Sequence, residues 1–388
     1  MYANFNLNFK SEIVFGKNTE SETGRLVKKY GGTNVMIVFG SGSVKQSGLL
    51  DRIKDSLTEY NIMYTEFGGV QPNPKRSFAE KGVKSAVQNN IDLVLGVGGG
   101  SAIDTAKAIA YGAAGGGDLS QFYTGGKTPE KMLPVGTIVT IAAAGSETSR
   151  SCVLVDDVDT FQKKGLWSSF RPCFAIMNPE LTYTVSPFQT AAGCADIFSH
   201  TFMRYFSNFS SYLGDRYGEA TMKTVVKYAP VAVSEPENYE ARAEILLSGS
   251  MSHCDLMMIG RPGASAGGEH SLESQLSGYY DTTHGAGLAV IMPALLKYFV
   301  RHGSEEQVAR VAMFAENVFG ASSVESGICA FENWLKSIGM PLTLKELGIP
   351  EADIPDAVIR CMAARGSVID GFLPLDTEAV TEIYHLAL

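Results

Sequence analysis

The chain has 388 residues, of which 45% are hydrophobic and 19% charged, and it contains 41 glycines. This length predicts two domains, and the apolar fraction excludes a disordered chain. The 32 basic and 41 acidic residues give a net charge of −9, which argues against nucleic acid or an anionic membrane surface as a partner.

Apolar, β-branched runs alternate with helical patterns in the first half of the chain. Strands are predicted at Val35–Phe39, Asp92–Val97 and Pro134–Ala142, and each is followed by a turn rich in small residues. A helix ending near Leu57 and a helix at Ala102–Tyr111 separate them. Fully apolar strands that alternate with helices are typical of a parallel sheet buried on both faces.

Helical periodicity dominates from about Pro187 onwards. The predicted helices are Asp215–Tyr228, Tyr239–Met258, Glu305–Phe319 and Thr377–Leu386. A polar stretch containing prolines separates the two patterns, so we predict an α/β domain at 1–185 and a helical domain at 186–388. A ligand site between the two is the expectation for such an arrangement.

The cysteines and the N-terminus indicate a compartment. Six cysteines are scattered without a C-x-x-C pair, which fits reduced thiols rather than a disulfide framework. No apolar run reaches the length of a membrane span, and the N-terminus lacks the pattern of a signal peptide. The sequence therefore predicts a cytoplasmic enzyme.

A glycine-rich turn follows the second predicted strand. Gly98, Gly99 and Gly100 precede Ser101 at the point where a helix begins, and Asp104 lies in its first turn. Glycines allow close backbone approach, and a helix N-terminus offers free N–H groups, so this turn predicts a phosphate cradle. An ordinary strand-to-helix turn is an equally good alternative, because no G-x-G-x-x-G fingerprint is present.

A second turn follows the first predicted strand. It contains Gly40, Ser41 and Ser43, with Lys45 two residues further on, and no acidic residue occurs within 35–50. Hydroxyls and a cation suit a ribose 2′-phosphate, whereas an NAD site usually carries an acidic residue for the 2′-OH. The turn favours NADP(H), with a solvated turn as the alternative.

Four residues form a candidate metal site. Asp196 and His200 are four apart in a helical pattern and share one face, while His270 and His284 follow, the latter in a predicted turn. One carboxylate and three imidazoles suit Fe²⁺ or Zn²⁺. D-x3-H is a short pattern, so the spacing alone does not identify a site. The other histidines, His253, His302 and His385, are predicted not to be ligands.

Six stretches occur in order along the whole chain. They are VFGSGSVKQSGLLDRI, EFGGVQPNP, GVGGGSAIDTAKAIA, GSETSRSCVLV, NPELTYTVSPFQTAAGCADIFSHTF and EHSLESQLSGYYDTTHGAGLAVIMPALL. Together they resemble the iron-containing (group III) alcohol dehydrogenase family, and most closely its NADPH-dependent butanol dehydrogenase and aldehyde reductase branch. The resemblance implies an N-terminal α/β dinucleotide-binding domain with a Rossmann-like parallel sheet and an all-α C-terminal metal-binding domain, an architecture similar to that of dehydroquinate synthase.

The resemblance also implies site residues and a homodimer. One divalent metal, Fe²⁺ first and Zn²⁺ next, is expected on Asp196, His200, His270 and His284. The implied cofactor contacts are Gly40, Ser41, Ser43, Asn73, Gly98, Gly99, Gly100, Ser101, Asp104, Thr140, Ser146, Ser149, Lys163 and Tyr183. Relatives that prefer NAD tend to carry Asp where this chain has Gly40, in agreement with NADP(H).

The chain departs from the family pattern at three places. Ser274 stands where many relatives have a further histidine, so we expect the proton to leave through water and the cofactor ribose. Small residues, Gly267 and Gly268, come shortly before His270, which implies a roomier substrate entrance. Ser149 replaces a common asparagine.

Four functions are compatible with these motifs. The favoured one is hydride transfer between NADP(H) and a primary alcohol or aldehyde such as butanol or butanal, with a cation polarising the oxygen. A non-redox lyase resembling dehydroquinate synthase is disfavoured, because residues 250–285 offer only Arg261 for a phosphorylated sugar. A zinc polyol oxidoreductase similar to glycerol dehydrogenase is a variant of the first. A non-catalytic metal protein would not need two glycine turns.

Overall fold

The computed structural model describes residues 4–8, 10–159, 162–209, 211–261 and 268–388. The described residues form two compact units. One unit comprises the described residues of 10–184, and the other comprises those of 4–8 and 185–388. The first unit carries the eight named strands, and the second is built from helices.

A six-stranded parallel sheet forms the centre of the first unit. The strands are β1 (Glu12–Phe15), β2 (Asn34–Gly40), β3 (Met63–Val70), β4 (Leu93–Gly98), β5 (Val135–Val139), β6 (Ser151–Val155), β7 (Lys163–Trp167) and β8 (Phe174–Met177). The order in the sheet is β1-β8-β5-β4-β2-β3, while β6 and β7 pair antiparallel in a separate ribbon. This sheet confirms the predicted Rossmann-like architecture.

Helices cover both faces of the sheet. They are α1 (Thr23–Lys29), α2 (Ser43–Gln46), α3 (Leu49–Glu59), α4 (Arg76–Gln88), α5 (Gly100–Ala114) and α6 (Ser120–Tyr123). Successive β2 side chains point to opposite faces. Ile37 therefore packs in one apolar cluster with Ile53 of α3, and Met36 packs in another with Ile109 of α5. Burial on both faces explains why the strand is apolar throughout.

The strand order reverses between β2 and β4. From β2 the chain adds β3 on one side, and it then adds β4 on the other side, with Phe39 opposite Val97. In open α/β sheets such a reversal leaves a crevice at the carboxyl ends of the strands, where ligands bind. The two predicted glycine turns follow the two strands that flank this crevice.

The second unit contains nine helices among its described residues. They are α7 (Pro187–Tyr205), α8 (Tyr212–Ser234), α9 (Tyr239–His253), α10 (Glu269–Tyr280), α11 (His284–His302), α12 (Glu305–Phe319), α13 (Val324–Ser337), α14 (Ile354–Arg365) and α15 (Thr377–Leu386). The helix predicted to reach Met258 ends at His253, because Cys254 has extended backbone and a separate 3₁₀ turn follows. Within this unit Phe198 stacks on Phe331, with ring centroids 4.9 Å apart.

In the part of the chain that the structure describes, none of the helices combines the length and the apolar character needed to cross a membrane.

Candidate metal centre and cofactor-binding turns

Helix α7 presents the first two candidate ligands. Ser186 caps its N-terminus by accepting a hydrogen bond from the Gln189 N–H, and Pro187 occupies the first turn, as is common in helices. Asp196 and His200 lie one turn apart and are both buried. The Nε2 atom of His200 is 3.7 Å from Oδ1 of Asp196, so the two side chains converge as their spacing predicts.

The other two candidate ligands lie at the starts of two helices. His270 is the second residue of α10, and His284 is the first residue of α11. The prediction that His284 lies in a turn was wrong, because the helix already begins there after Thr283. The Nε2 atoms of His270 and His284 are 4.0 and 3.8 Å from Asp196 Oδ1. Three imidazoles therefore surround one carboxylate oxygen.

The chemistry of this set fits a divalent cation. Asp196 Oδ1 and His270 Nε2 are buried and have no hydrogen-bond partner in the described chain, which is costly for polar atoms unless a ligand satisfies them. Ligand atoms of Asp196, His270 and His284 lie within 4.8 Å of one another. Around tetrahedral zinc, with bonds of about 2.0–2.1 Å, ligand atoms are about 3.4 Å apart. The distances of 3.7, 4.0 and 3.8 Å from Asp196 Oδ1 to Nε2 of His200, His270 and His284 are only slightly longer than this.

Burial keeps one of the imidazoles in the form that metals bind. It lowers the pKa of His200 well below its ordinary value, and repulsion from neighbouring histidines lowers the pKa further. A neutral imidazole has a free lone pair, so His200 is available as a ligand at neutral pH.

Gly285 sets the distance between α11 and α7. A β-carbon at this position would overlap the backbone carbonyl of Ala192, which lies one turn before Asp196. Only glycine therefore allows the first turn of α11 to rest against α7. This contact brings His284 next to the carboxylate.

Two buried glutamates contact the candidate ligands, and the sequence analysis missed both. Oε1 of Glu269 is 3.1 Å from Nδ1 of His270, and Glu273 contacts Nδ1 of His284. Both glutamates are fully buried. Glu269 directly precedes His270, and Glu273 follows it by one helical turn. This spacing is the sequence signal that could have identified them.

The remaining histidines have different surroundings. The ring of His253 stacks on His200 with centroids 4.4 Å apart, so it lies beside the candidate site. His302 is exposed and pairs with Glu382, and His385 contacts a backbone oxygen of its own helix.

The hydroxyl of Ser274 donates to the carbonyl oxygen of His270. Gly267, which we expected at the substrate entrance, lies outside the described residues.

Five of the predicted cofactor contacts lie at one edge of the parallel sheet. Gly40 ends β2, Gly98 ends β4, and Asn73, Thr140 and Tyr183 follow β3, β5 and β8. The carboxyl ends of parallel strands meet at a single edge, so residues from five separate segments surround the crevice. The sequence spacing alone does not bring them together, whereas the topology does.

The glycines at the end of β4 and just after it are required by packing as well as by the predicted phosphate contact. Gly98 has φ +149°, and a β-carbon there would lie 2.9 Å from Ala102. A β-carbon at Gly100 would lie 2.9 Å from Ala144. Helix α5 begins at Gly100, which puts Ser101 in its first turn, where backbone N–H groups lack helical partners.

Asp104 and Ser146 belong to a buried polar network around Lys107. Ser146 donates to Asp104 Oδ1 over 2.5 Å, and Lys107 Nζ donates to Ser146 Oγ over 2.7 Å. The Lys107 ammonium also donates to the carbonyl of Ser149. Burial raises the pKa of Asp104 and lowers that of Lys107, while their attraction opposes both shifts. These side chains fasten the turn at 145–149 to α5, and their predicted cofactor contacts stay predictions.

Two further predicted contacts lie on or near the β6–β7 ribbon. The hydroxyl of Ser149 is 2.9 Å from that of Ser151, the first residue of β6. Lys163 begins β7 opposite Val155. Its positive charge acts to lower the pKa of Asp104, against the effect of burial. Their contacts with a cofactor also stay predictions.

Lys45 forms an ion pair that the sequence analysis did not foresee. Its Nζ is 3.1 Å from Oε2 of Glu66 on β3, and Lys54 contacts the same carboxylate. Pairing of β2 with β3 sets Glu66 opposite Ile37. An acidic residue outside the window 35–50 thus lies beside the predicted 2′-phosphate turn, because the sheet brings it there.

Two family models together match most of the chain. The family model for iron-containing alcohol dehydrogenase matches residues 10–179, and that for the C-terminal part of the Fe-containing alcohol dehydrogenase family matches residues 190–388.

Individual relatives match over nearly the whole chain. NADH-dependent butanol dehydrogenase A of Clostridium acetobutylicum is 34% identical, with 98% of each chain covered. The NADPH-dependent aldehyde reductase YqhD of Escherichia coli is 30% identical, with 91% of each covered. The crystal structure of NADH-dependent butanol dehydrogenase A from Thermotoga maritima superposes with a TM-score of 0.94 at 35% identity, covering 100% of this chain and 99% of that one.

Proposed function

The chain belongs to the iron-containing alcohol dehydrogenase family, and we propose that it transfers hydride between NADP(H) and a primary alcohol or aldehyde such as butanol or butanal. The general reaction is alcohol/aldehyde oxidoreduction with a nicotinamide cofactor and a metal. The observation that carries this proposal is the convergence of three histidine Nε2 atoms on one oxygen of Asp196. We assign cofactor binding to residues 1–185 and metal and substrate binding to 186–388.

Asp196, His200, His270 and His284 are the proposed metal ligands, for Fe²⁺ first and Zn²⁺ next. The cation, when bound, polarises the substrate oxygen as a Lewis acid. Asp196 supplies the only negative charge among the four ligands. Imidazole ligands would add no negative charge to the site, so most of the positive charge of the cation would remain available to the substrate.

NADP(H) is the proposed cofactor, and it supplies or accepts the hydride. The relatives differ here, since the named butanol dehydrogenases are NADH-dependent and the named aldehyde reductase is NADPH-dependent. The preference therefore rests on the turn from Gly40 to Lys45, which offers small residues, hydroxyls and a cation. Glu66 competes with a 2′-phosphate for Lys45, so the two ionic contacts are alternatives.

The path of the proton is proposed to avoid Ser274. Its hydroxyl donates to the carbonyl of His270, and a serine does not titrate near neutral pH. We propose solvent and the ribose hydroxyls of the cofactor as the proton carriers.

The lyase alternative receives little support from the cations near the proposed ligands. Arg261 is fully buried and pairs with Asp215, so it is held in the interior of its unit. A phosphorylated sugar needs accessible cations.

A homodimer and a cytoplasmic location, both expected from the sequence, are part of the proposal. Light scattering tests the first, and fractionation tests the second.

The decisive experiment measures NADPH and NADH oxidation with butanal. Metal-stripped enzyme is reloaded in turn with Fe²⁺ and Zn²⁺, and His270→Ala is compared with His302→Ala, a histidine change at an exposed position. We expect metal-restored turnover with NADPH preferred, lost in His270→Ala and kept in His302→Ala. Turnover that needs no metal would overturn the ligand assignment, and a preference for NADH would overturn the cofactor assignment alone.

A further inference from the structure

We propose that Glu269 and Glu273 are positioning residues that determine which ring nitrogen of His270 and His284 faces the metal. The inference rests on the ligand set proposed above and adds the two carboxylates that orient it.

The two nitrogens of His270 have different neighbours. Nε2 faces Asp196 Oδ1 at 4.0 Å, while Nδ1 faces Oε1 of Glu269 at 3.1 Å. A neutral imidazole carries one N–H. If Nδ1 carries that hydrogen, it donates to Glu269, and the lone pair of Nε2 is directed at the cation. The reverse tautomer would set a lone pair against a carboxylate, which is unfavourable.

His284 repeats this arrangement with a different partner. Its Nε2 is 3.8 Å from Asp196 Oδ1, and its Nδ1 contacts Glu273. Room for this glutamate depends on Gly287, because a β-carbon there would lie 2.8 Å from Cγ and Oε1 of Glu273. Two imidazoles on different helices thus point the same nitrogen inwards and the other at a buried carboxylate.

Burial makes these contacts strong. Both glutamates are fully buried, and an ionised carboxylate away from water is costly unless hydrogen bonds and nearby positive charge stabilise it. A histidine N–H and a cation beyond the ring provide both. Carboxylate–histidine–metal arrangements fix ring orientation and raise the basicity of the ligand, and their loss typically lowers metal affinity 10–100-fold.

His200 provides an internal contrast. Its Nδ1 is buried, and within the described residues no carboxylate pairs with it, whereas its Nε2 faces Asp196 like the others. Only two of the three imidazoles therefore carry a positioning carboxylate.

The test measures metal affinity on the full-length protein loaded with Co²⁺. Competition with a chelator of known affinity gives Kd, and the visible absorption of Co²⁺ reports the ligand geometry. The variants are Glu269→Gln and Glu273→Gln, with Glu219→Gln as the control. Glu219 is a buried glutamate of the same unit that accepts from the hydroxyl of Tyr205 over 2.9 Å.

We expect Kd for Co²⁺ to rise about tenfold or more in both test variants, with an altered absorption spectrum, and to stay unchanged in Glu219→Gln. Wild-type affinity and spectrum in folded Glu269→Gln and Glu273→Gln would overturn the inference. If Glu273→Gln does not fold, Gly287→Ala displaces the same side chain without replacing it and must weaken Co²⁺ binding.

The ligand variant His270→Ala separates the two proposals. If His270→Ala binds Co²⁺ as tightly as the wild type, the proposed metal site itself fails. If His270→Ala loses Co²⁺ while both glutamate variants retain it, only the positioning role fails.

Discussion

Gly285 touches α7 so closely that any β-carbon at this position would overlap the carbonyl oxygen of Ala192. The contact lies between one helix that begins with His284 and another that carries Asp196 four residues after Ala192. A packing requirement and the proposed metal site therefore meet at one glycine.

Replacing Gly285 by alanine is expected to destabilise the helical unit and to weaken metal binding together. The added methyl forces α11 away from α7, which costs about 1–3 kcal/mol for overpacking and separates His284 from Asp196. Urea denaturation and Co²⁺ titration measure the two effects.

Gly278→Ala is the matched control for that experiment. Gly278 lies in α10, and a β-carbon there meets no atom of the described residues within 4 Å. Alanine at this helical position should stabilise the protein by about 0.5–1 kcal/mol and leave metal binding unchanged. Equal behaviour of the two variants would contradict the role assigned to Gly285.

Lys107 is expected to be essential for the stability of the α/β unit. Its ammonium is buried, 3.7 Å from Asp104 Oδ1, and donates to Ser146. Lys107→Met removes one partner of a buried ion pair, and the remaining charge costs about 3–5 kcal/mol. The measurement is the free energy of unfolding from urea titration.

Two companion variants test the explanation for Lys107. The double variant Lys107→Met/Asp104→Asn removes both charges and should recover part of the lost stability. Lys84→Met changes an exposed lysine on α4 and should change stability by less than about 0.5 kcal/mol. A double variant no more stable than Lys107→Met would show that the ion pair is not the cause.

Local patterns predicted much of the fold. The helices at Glu305–Phe319 and Thr377–Leu386 are confirmed at the predicted bounds, and the strand at Val35–Phe39 is longer by one residue at each end. Burial of one side gives the two helices a periodic apolar pattern, and burial of both faces makes the strand apolar throughout. Both patterns can be recognised in consecutive residues.

Features that depend on distant segments could not be predicted in this way. Glu66 approaches Lys45 through pairing of β2 with β3, and the orientation of Glu269 and Glu273 depends on how three helices meet. A local window contains neither relationship. The end of α9 at His253 was missed for the opposite reason, since the helical pattern continues past the residue where the backbone turns.

The pairing of Glu66 predicts a pH dependence of stability. Its hydrogen bonds to Lys54 and, more weakly, Lys45 hold the pKa of this carboxyl below its usual value. A lowered folded-state pKa means that the stabilisation is present above about pH 4.5 and is lost as the pH falls through the folded-state value. These side chains are partly exposed, so Glu66→Gln should cost at most about 1 kcal/mol at pH 7. Urea titrations of both proteins should give a difference that shrinks below pH 4.5, and a difference that grows on acidification would contradict the pairing.

Glu66 is also expected to set the preference between the two cofactors. The carboxylate repels a 2′-phosphate and occupies Lys45, so Glu66→Gln should raise the ratio of kcat/KM for NADPH to that for NADH about three- to tenfold, equivalent to about 0.7–1.4 kcal/mol. Lys45→Met should lower the same ratio, because it removes the cation. Glu12→Gln is the control, since Glu12 lies on β1, the opposite edge strand of the sheet, and pairs there with Lys29 of α1. If neither Glu66→Gln nor Lys45→Met changes the ratio, the 2′-position of the ribose lies elsewhere. If only Lys45→Met changes the ratio, the turn still binds the 2′-phosphate, but Glu66 does not affect the cofactor preference.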